Sequence, residues 1–156
     1  VKPPSGAALL LSQLGSHVSK RFAERLSEFD LAPTHVAVLR IVGQNPGIDQ
    51  RELARRLGVV PSRVVVLVDQ LEAKRIIERR RSEKDRRQMA LYTTGGATKR
   101  RTEIMRAVSD HDAEVIDPLT SEEVETLVTL LRKLASASGL SADEHPAMST
   151  GGKRRT

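Results

Sequence analysis

Two amphipathic segments separated by three residues constrain this chain more than any other feature. In the first, Leu53, Ala54 and Leu57 fall on one side; in the second, Val64, Leu67, Val68 and Leu71 repeat at helical spacing. Asp49 is placed to cap the first segment, and Glu52 three residues later predicts a capping box. Gly58 suits the left-handed residue that ends such a helix, and Pro61 suits the first turn of the next. Gly58-Val59-Val60 leaves room only for an abrupt change of direction. The pair therefore reads as a helix-turn-helix.

The flanking pattern fixes the rest. Leu11, Leu14, Val18, Phe22, Leu26 and Phe29 form a stripe that predicts a first helix over about 7–29. Pro33 opens a second helix with Val36, Leu39 and Val42 inside, ended by Gly43 to Gly47. After the helix-turn-helix, Ile76 to Arg81 and Gln88 to Thr93 flank a charged centre and read as a two-stranded hairpin. Thr94 is expected to cap a fifth helix over about 95–117, with Ile104, Val108, His111 and Val115 on one side. Pro118 breaks it. Thr120 and Glu123 form a capping box for a sixth helix carrying Val124, Leu127, Val128, Leu131 and Leu134 inside, and Gly139 ends it. The expected fold is mainly α with a small β-hairpin wing. Residues 1–6 read as a disordered lead-in and 140–156 as a mobile basic tail.

Charge is distributed unevenly. The net charge of the 156 residues is +6, but residues 75–101 alone carry ten basic and three acidic side chains, whereas 102–145 carry three and ten. A basic block beside a helix-turn-helix points to a nucleic-acid face, and a solvated basic surface is the plain alternative. Phe22, Phe29 and Tyr92 are the only aromatics, so the core must be aliphatic. The absence of cysteine excludes disulfides, thiolate metal sites and thiol redox sensing. Ala7 to Leu11 is too short for a signal peptide or a membrane span, so a cytoplasmic protein without membrane contact is expected. No phosphate-binding loop, dinucleotide loop or nucleophile elbow is present, which argues against an enzyme; no cofactor and no metal is expected.

A helix of this kind fits the major groove, and an adjacent hairpin can reach the neighbouring minor groove. The outward face of the fourth helix presents Ser62, Arg63, Val65, Val66, Asp69 and Gln70. Arg63, in the first turn, is the prime candidate for a base edge or phosphate. Val65 and Val66 either contact thymine methyl groups or pack against the turn. Arg51 on the third helix and Arg79, Arg81, Lys84, Arg86 and Arg87 on the hairpin extend the candidate face.

Gln50-Arg-Glu-Leu-Ala-Arg-Arg-Leu-Gly58, Pro61-Ser62, Leu67-Val-Asp-Gln-Leu-Glu72, Glu78-Arg-Arg80 and Asp85-Arg-Arg87, in this order, resemble the multiple-antibiotic-resistance regulator (MarR) family. The resemblance spans roughly residues 7–139. It implies a homodimer of winged helix-turn-helix subunits, with 33–94 as the DNA-binding domain and 7–32 with 95–139 as the dimerisation region. It implies a repressor of a pseudo-palindromic, inverted-repeat operator, released by a small, aromatic or anionic ligand. At the wing tip Arg87 would enter the minor groove while Asp85 holds it. An effector pocket would draw on His17, Arg21, His35 and His111, with Arg21 and His35 as ligands for an anion; polar boundary residues are the alternative reading. Ala32 and Val60 stand where the family uses a Ser or Thr cap, and the two valines where it uses polar residues. A non-specific nucleic-acid or chromosome-associated protein, or an interaction module without an operator, would share the basic face.

Overall fold

The computed structural model describes residues 6–82 and 88–140, with backbone alone at 97 and 98. The lead-in before Gly6, the tail after Leu140 and the wing-tip candidates Lys84, Asp85, Arg86 and Arg87 lie outside the described residues. Among the described residues, six α-helices and three short strands follow in order: α1 (Ala7–Ser27), α2 (Pro33–Gln44), β1 (Ile48–Asp49), α3 (Gln50–Leu57), α4 (Pro61–Ala73), β2 (Ile77–Arg81), β3 (Met89–Thr93), α5 (Thr98–Ile116) and α6 (Ser121–Ala137). The antiparallel sheet has the order β1-β3-β2, with Ile48 opposite Leu91 and Ile77 opposite Thr93. The core is aliphatic, as expected: Leu26, Val38, Val42, Leu53, Val64, Val68 and Leu91 are wholly buried.

Several boundaries differ from the sequence expectation, each for a local reason. α1 stops at Ser27, two residues early, because Asp30 adopts a left-handed conformation (φ 54°) and the Leu31 N–H returns to the Leu26 carbonyl. β1 was not anticipated; two residues carry no period, and Ile48 and Asp49 are strand only by pairing with β3. Gly47, at φ 86°, lets the chain pass the Tyr92 hydroxyl, which a Cβ would approach to 3.0 Å. Thr94 does not cap the fifth helix. Its hydroxyl donates to the Arg75 carbonyl, a 3-10 turn occupies Gly95–Ala97, and α5 begins at Thr98.

The caps are mixed. Asp49 accepts from the Arg51 and Glu52 N–H groups at 2.9 Å each, but the Glu52 half of the expected box is missing because its carboxylate is held by Arg55 and Arg56. The Thr120–Glu123 box is complete. Ala32 provides no side-chain acceptor; instead His35 reaches back and its Nδ1 accepts the Ala32 N–H at 2.9 Å. Val60 leaves α4 without a side-chain cap.

The stripe positions divide into two classes. On α2, α3 and α4 they are buried against one another. Leu14 on α1, at 58% exposure, and Leu127, Leu131 and Leu134 on α6 face outward, and no residue of α6 is buried within the single chain. The apolar stripe of α6 is thus left without cover inside one chain, as expected of stripes that one subunit of this size cannot bury.

Candidate nucleic-acid interface

The geometry of α4 follows from its ends. Gly58 takes the left-handed conformation (φ 65°), and Pro61 starts α4 three residues later. Val64, Leu67, Val68 and Leu71 are buried, which turns Ser62, Arg63, Val65, Val66, Asp69 and Gln70 outward, as expected. Val65 and Val66 are 40% and 53% exposed, so they do not pack against the turn. Arg63 has no ion-pair partner among the described residues, and Arg51 at the start of α3 is exposed. On α3, by contrast, Arg55 and Arg56 clasp Glu52 and hold its carboxyl at about 2. Arg56 also donates to Asn45 Oδ1 at 2.9 Å, tying α3 to the end of α2.

The hairpin arginines separate into different roles. Arg79, placed on the candidate face by the sequence, is turned inward. Its side chain is only 18% exposed, and its guanidinium is bonded to Asp69 and Glu72 of α4. With the Gln50 amide oxygen turned toward it, the same guanidinium donates to α3 from Nε and Nη2, at 3.1 Å each. Burial works against its charge, but the bonds to Asp69 and Glu72 outweigh this and raise its pKa above the ordinary value. Arg80 pairs with Glu78 and lies 4.9 Å from the Tyr92 ring centroid. Arg81 is exposed, at the last paired position before the tip. Gln70 is exposed, yet its Oε1 is taken by His35 Nε2 at 2.7 Å.

The sequence reading missed Gln50, Asp69 and Glu72 as anchors of Arg79, and Tyr92 as the seat of Arg80. A signal existed: Asp69 and Glu72, spaced i,i+3, place two like charges side by side on α4, which a nearby cation relieves.

The four effector candidates do not meet in one site, although Arg21 lies near enough to His111 to act on its charge. His17 is exposed on α1; Arg21 pairs with Glu114 at 3.2 Å, and Arg25 joins the same carboxylate. His35 is spent on the α2 cap and on Gln70. His111 is buried in α5, its ring stacked on Phe22 at 5.0 Å, and its Nε2 has no hydrogen-bond partner among the described residues. Burial and then Arg25 push its pKa below the usual histidine value. A groove of about 530 Å³ runs between α1 and α5; it includes Arg21 and Arg25 but none of the histidines, and it carries Glu24, Glu28, Asp110 and Glu114. Among the described residues no cluster of three His, Cys, Asp or Glu could hold a metal ion, and no helix is long and apolar enough to cross a membrane.

Residues 29–88 match the MarR family. A Thauera aromatica chain, named as a transcriptional regulatory protein for the hcr operon, is 30% identical over 133 residues spanning 80% of each chain. Wild-type apo MarR from Escherichia coli is 26% identical, with a TM-score of 0.69 over 84% of this chain and 96% of that one. The transcriptional repressor CouR, in a complex with a 23-mer DNA duplex, is 28% identical, with a TM-score of 0.71 over 84% and 92%.

Proposed function

Because the chain belongs to the MarR family of transcription regulators, we propose that it acts as a homodimeric repressor that reads an inverted-repeat operator. The observation that carries this reading is the outward face of α4. Ser62, Arg63, Val65 and Val66 lie together over its first two turns, and Arg63 has no internal ion pair among the described residues. A helix presenting one cation and two methyl-bearing side chains suits the edges of bases and thymine methyls in a major groove. Arg51 and Arg81 extend the face toward phosphates; the family motif assigns Asp85 and Arg87 to the wing tip, and Lys84 and Arg86 stand beside them in sequence. CouR, which shares this fold, is known in complex with a DNA duplex.

Dimerisation is the second part of the proposal. The uncovered leucines of α1 and α6 support assigning 7–32 and 95–139 to the subunit interface and 33–94 to DNA. Two copies related by a two-fold axis place two α4 helices on one face of a duplex, about one helical turn apart. Release by a small ligand completes the reading, and the groove between α1 and α5 is the site we assign to it. Its four carboxylates against two arginines favour a neutral or cationic ligand over an anion.

Selection of bound duplexes from a random pool tests the function. A recovered inverted repeat is the expected outcome. Recovery of no common site would favour non-specific nucleic-acid binding and overturn the operator.

A further inference from the structure

Three elements converge on the outer half of α4. From β2, Arg79 reaches Asp69 and Glu72; from α3, Gln50 meets the same guanidinium; from α2, His35 holds Gln70. The two polar side chains in the third turn of α4, Asp69 and Gln70, are thus both engaged inside the protein, and the first two turns are not. Asp69 is 57% exposed on a helix face that must approach phosphates. Unpaired, its charge would oppose that approach.

We propose that Arg79 is a positioning residue: it pairs with Asp69 and offsets part of the charge that Asp69 and Glu72 share, fixes the pitch of α4 against the wing, and so confines base reading to Ser62, Arg63, Val65 and Val66. This rests on α4 being the DNA-reading helix. A planar fork is what the site requires, since one guanidinium must meet two carboxylates and an amide in fixed directions. An ammonium carries the same charge but cannot span all three. The consequence for binding is distinctive. A residue that touches phosphate contributes to affinity for every duplex and to the salt slope; a residue that orients the reading helix contributes to the difference between right and wrong sites.

The experiment compares affinity for a selected site and for its shuffled sequence across a salt series, using the full chain. The parent protein is measured first; if it shows no preference, the operator reading fails and takes this inference with it. With a discriminating parent, Arg79→Lys should lower the preference at least about fivefold, the smaller end of one base contact, while the salt slope stays unchanged. Asp69→Asn, which removes no packing volume, should lower the preference too, although deleting a negative charge would by electrostatics alone tighten binding to both duplexes. Combining the two changes should cost no more than the larger single one, because both break one linkage. A preference retained in both variants, or a salt slope lower by about one in Arg79→Lys or Arg79→Gln, would overturn the positioning role and leave the operator reading standing.

Discussion

Val65 and Val66 are the residues at which chemistry and sequence pull hardest in different directions. Two β-branched apolar side chains on the outside of a helix cost some helix propensity and gain nothing from the core. Their exposure of 40% and 53% is intelligible if a methyl group in the groove completes their packing. Replacing single thymines by uracil in the bound site removes only that methyl. At the contacted positions affinity should fall roughly fourfold, the value of about 0.8 kcal/mol for one buried methyl-sized group. Unchanged affinity at every thymine would show that the valines read no methyl. Arg63→Ala should instead cost about 1–3 kcal/mol and relax preference at one position per half-site. At the wing tip the sign is the test. Asp85→Ala should weaken binding if Asp85 orients Arg87, whereas a plain gain of positive charge would tighten it, and a DNA titration separates the two.

At the level of elements, the ends of the helices explain both what was legible and what was not. Pro33, Gly58, Pro61, Pro118 and the Thr120–Glu123 box act within four residues of themselves, so their effect could be read directly from the sequence. β1 and the Thr94–Arg75 bond depend on partners that only folding supplies, and the sequence carries no period for them. The His35 cap and the turn at Arg75 are local, but neither residue is a usual one for its place. Arg75 closes α4 in a left-handed conformation (φ 57°), with the Ile76 N–H returning to the Leu71 carbonyl at 2.9 Å. A non-glycine residue there costs about 1–2 kcal/mol, part of which glycine gives back as chain entropy. Arg75→Gly should therefore stabilise the fold by about 0.5–1 kcal/mol, visible as a higher urea midpoint; a lower midpoint would mean that the Arg75 side chain contributes more than its backbone strain. The clasp on Glu52 makes a pH prediction. Its carboxyl sits at about 2 against an ordinary 4.5, so its contribution is complete above 4.5 and disappears as pH falls toward 2. Glu52→Gln should flatten the dependence of Tm on pH within that window and leave it unaltered near neutrality. An unchanged acid limb would contradict the clasp.

For the whole molecule, the helix-turn-helix and its basic hairpin were legible because local pattern and motif order coincide there. The division of labour among the arginines was not. Arg79 and Arg81 look alike in sequence, and only the fold turns one inward to Asp69 and Glu72 and leaves the other at the edge of the wing. The stripe of α6 exceeds what one subunit can cover, and Leu134 is 52% exposed in a single chain; we assign the covering surface to a second copy. The two halves of the proposal therefore meet in one complex. A site selected from random DNA, footprinted with the full chain while the mass of the complex is recorded, tests them together. The expected result is two chains of 17.2 kDa on one duplex, protecting two half-sites centred about 10–10.5 bp apart, with affinity falling steeply as salt rises. One chain per site, or equal protection of the shuffled sequence, would contradict it.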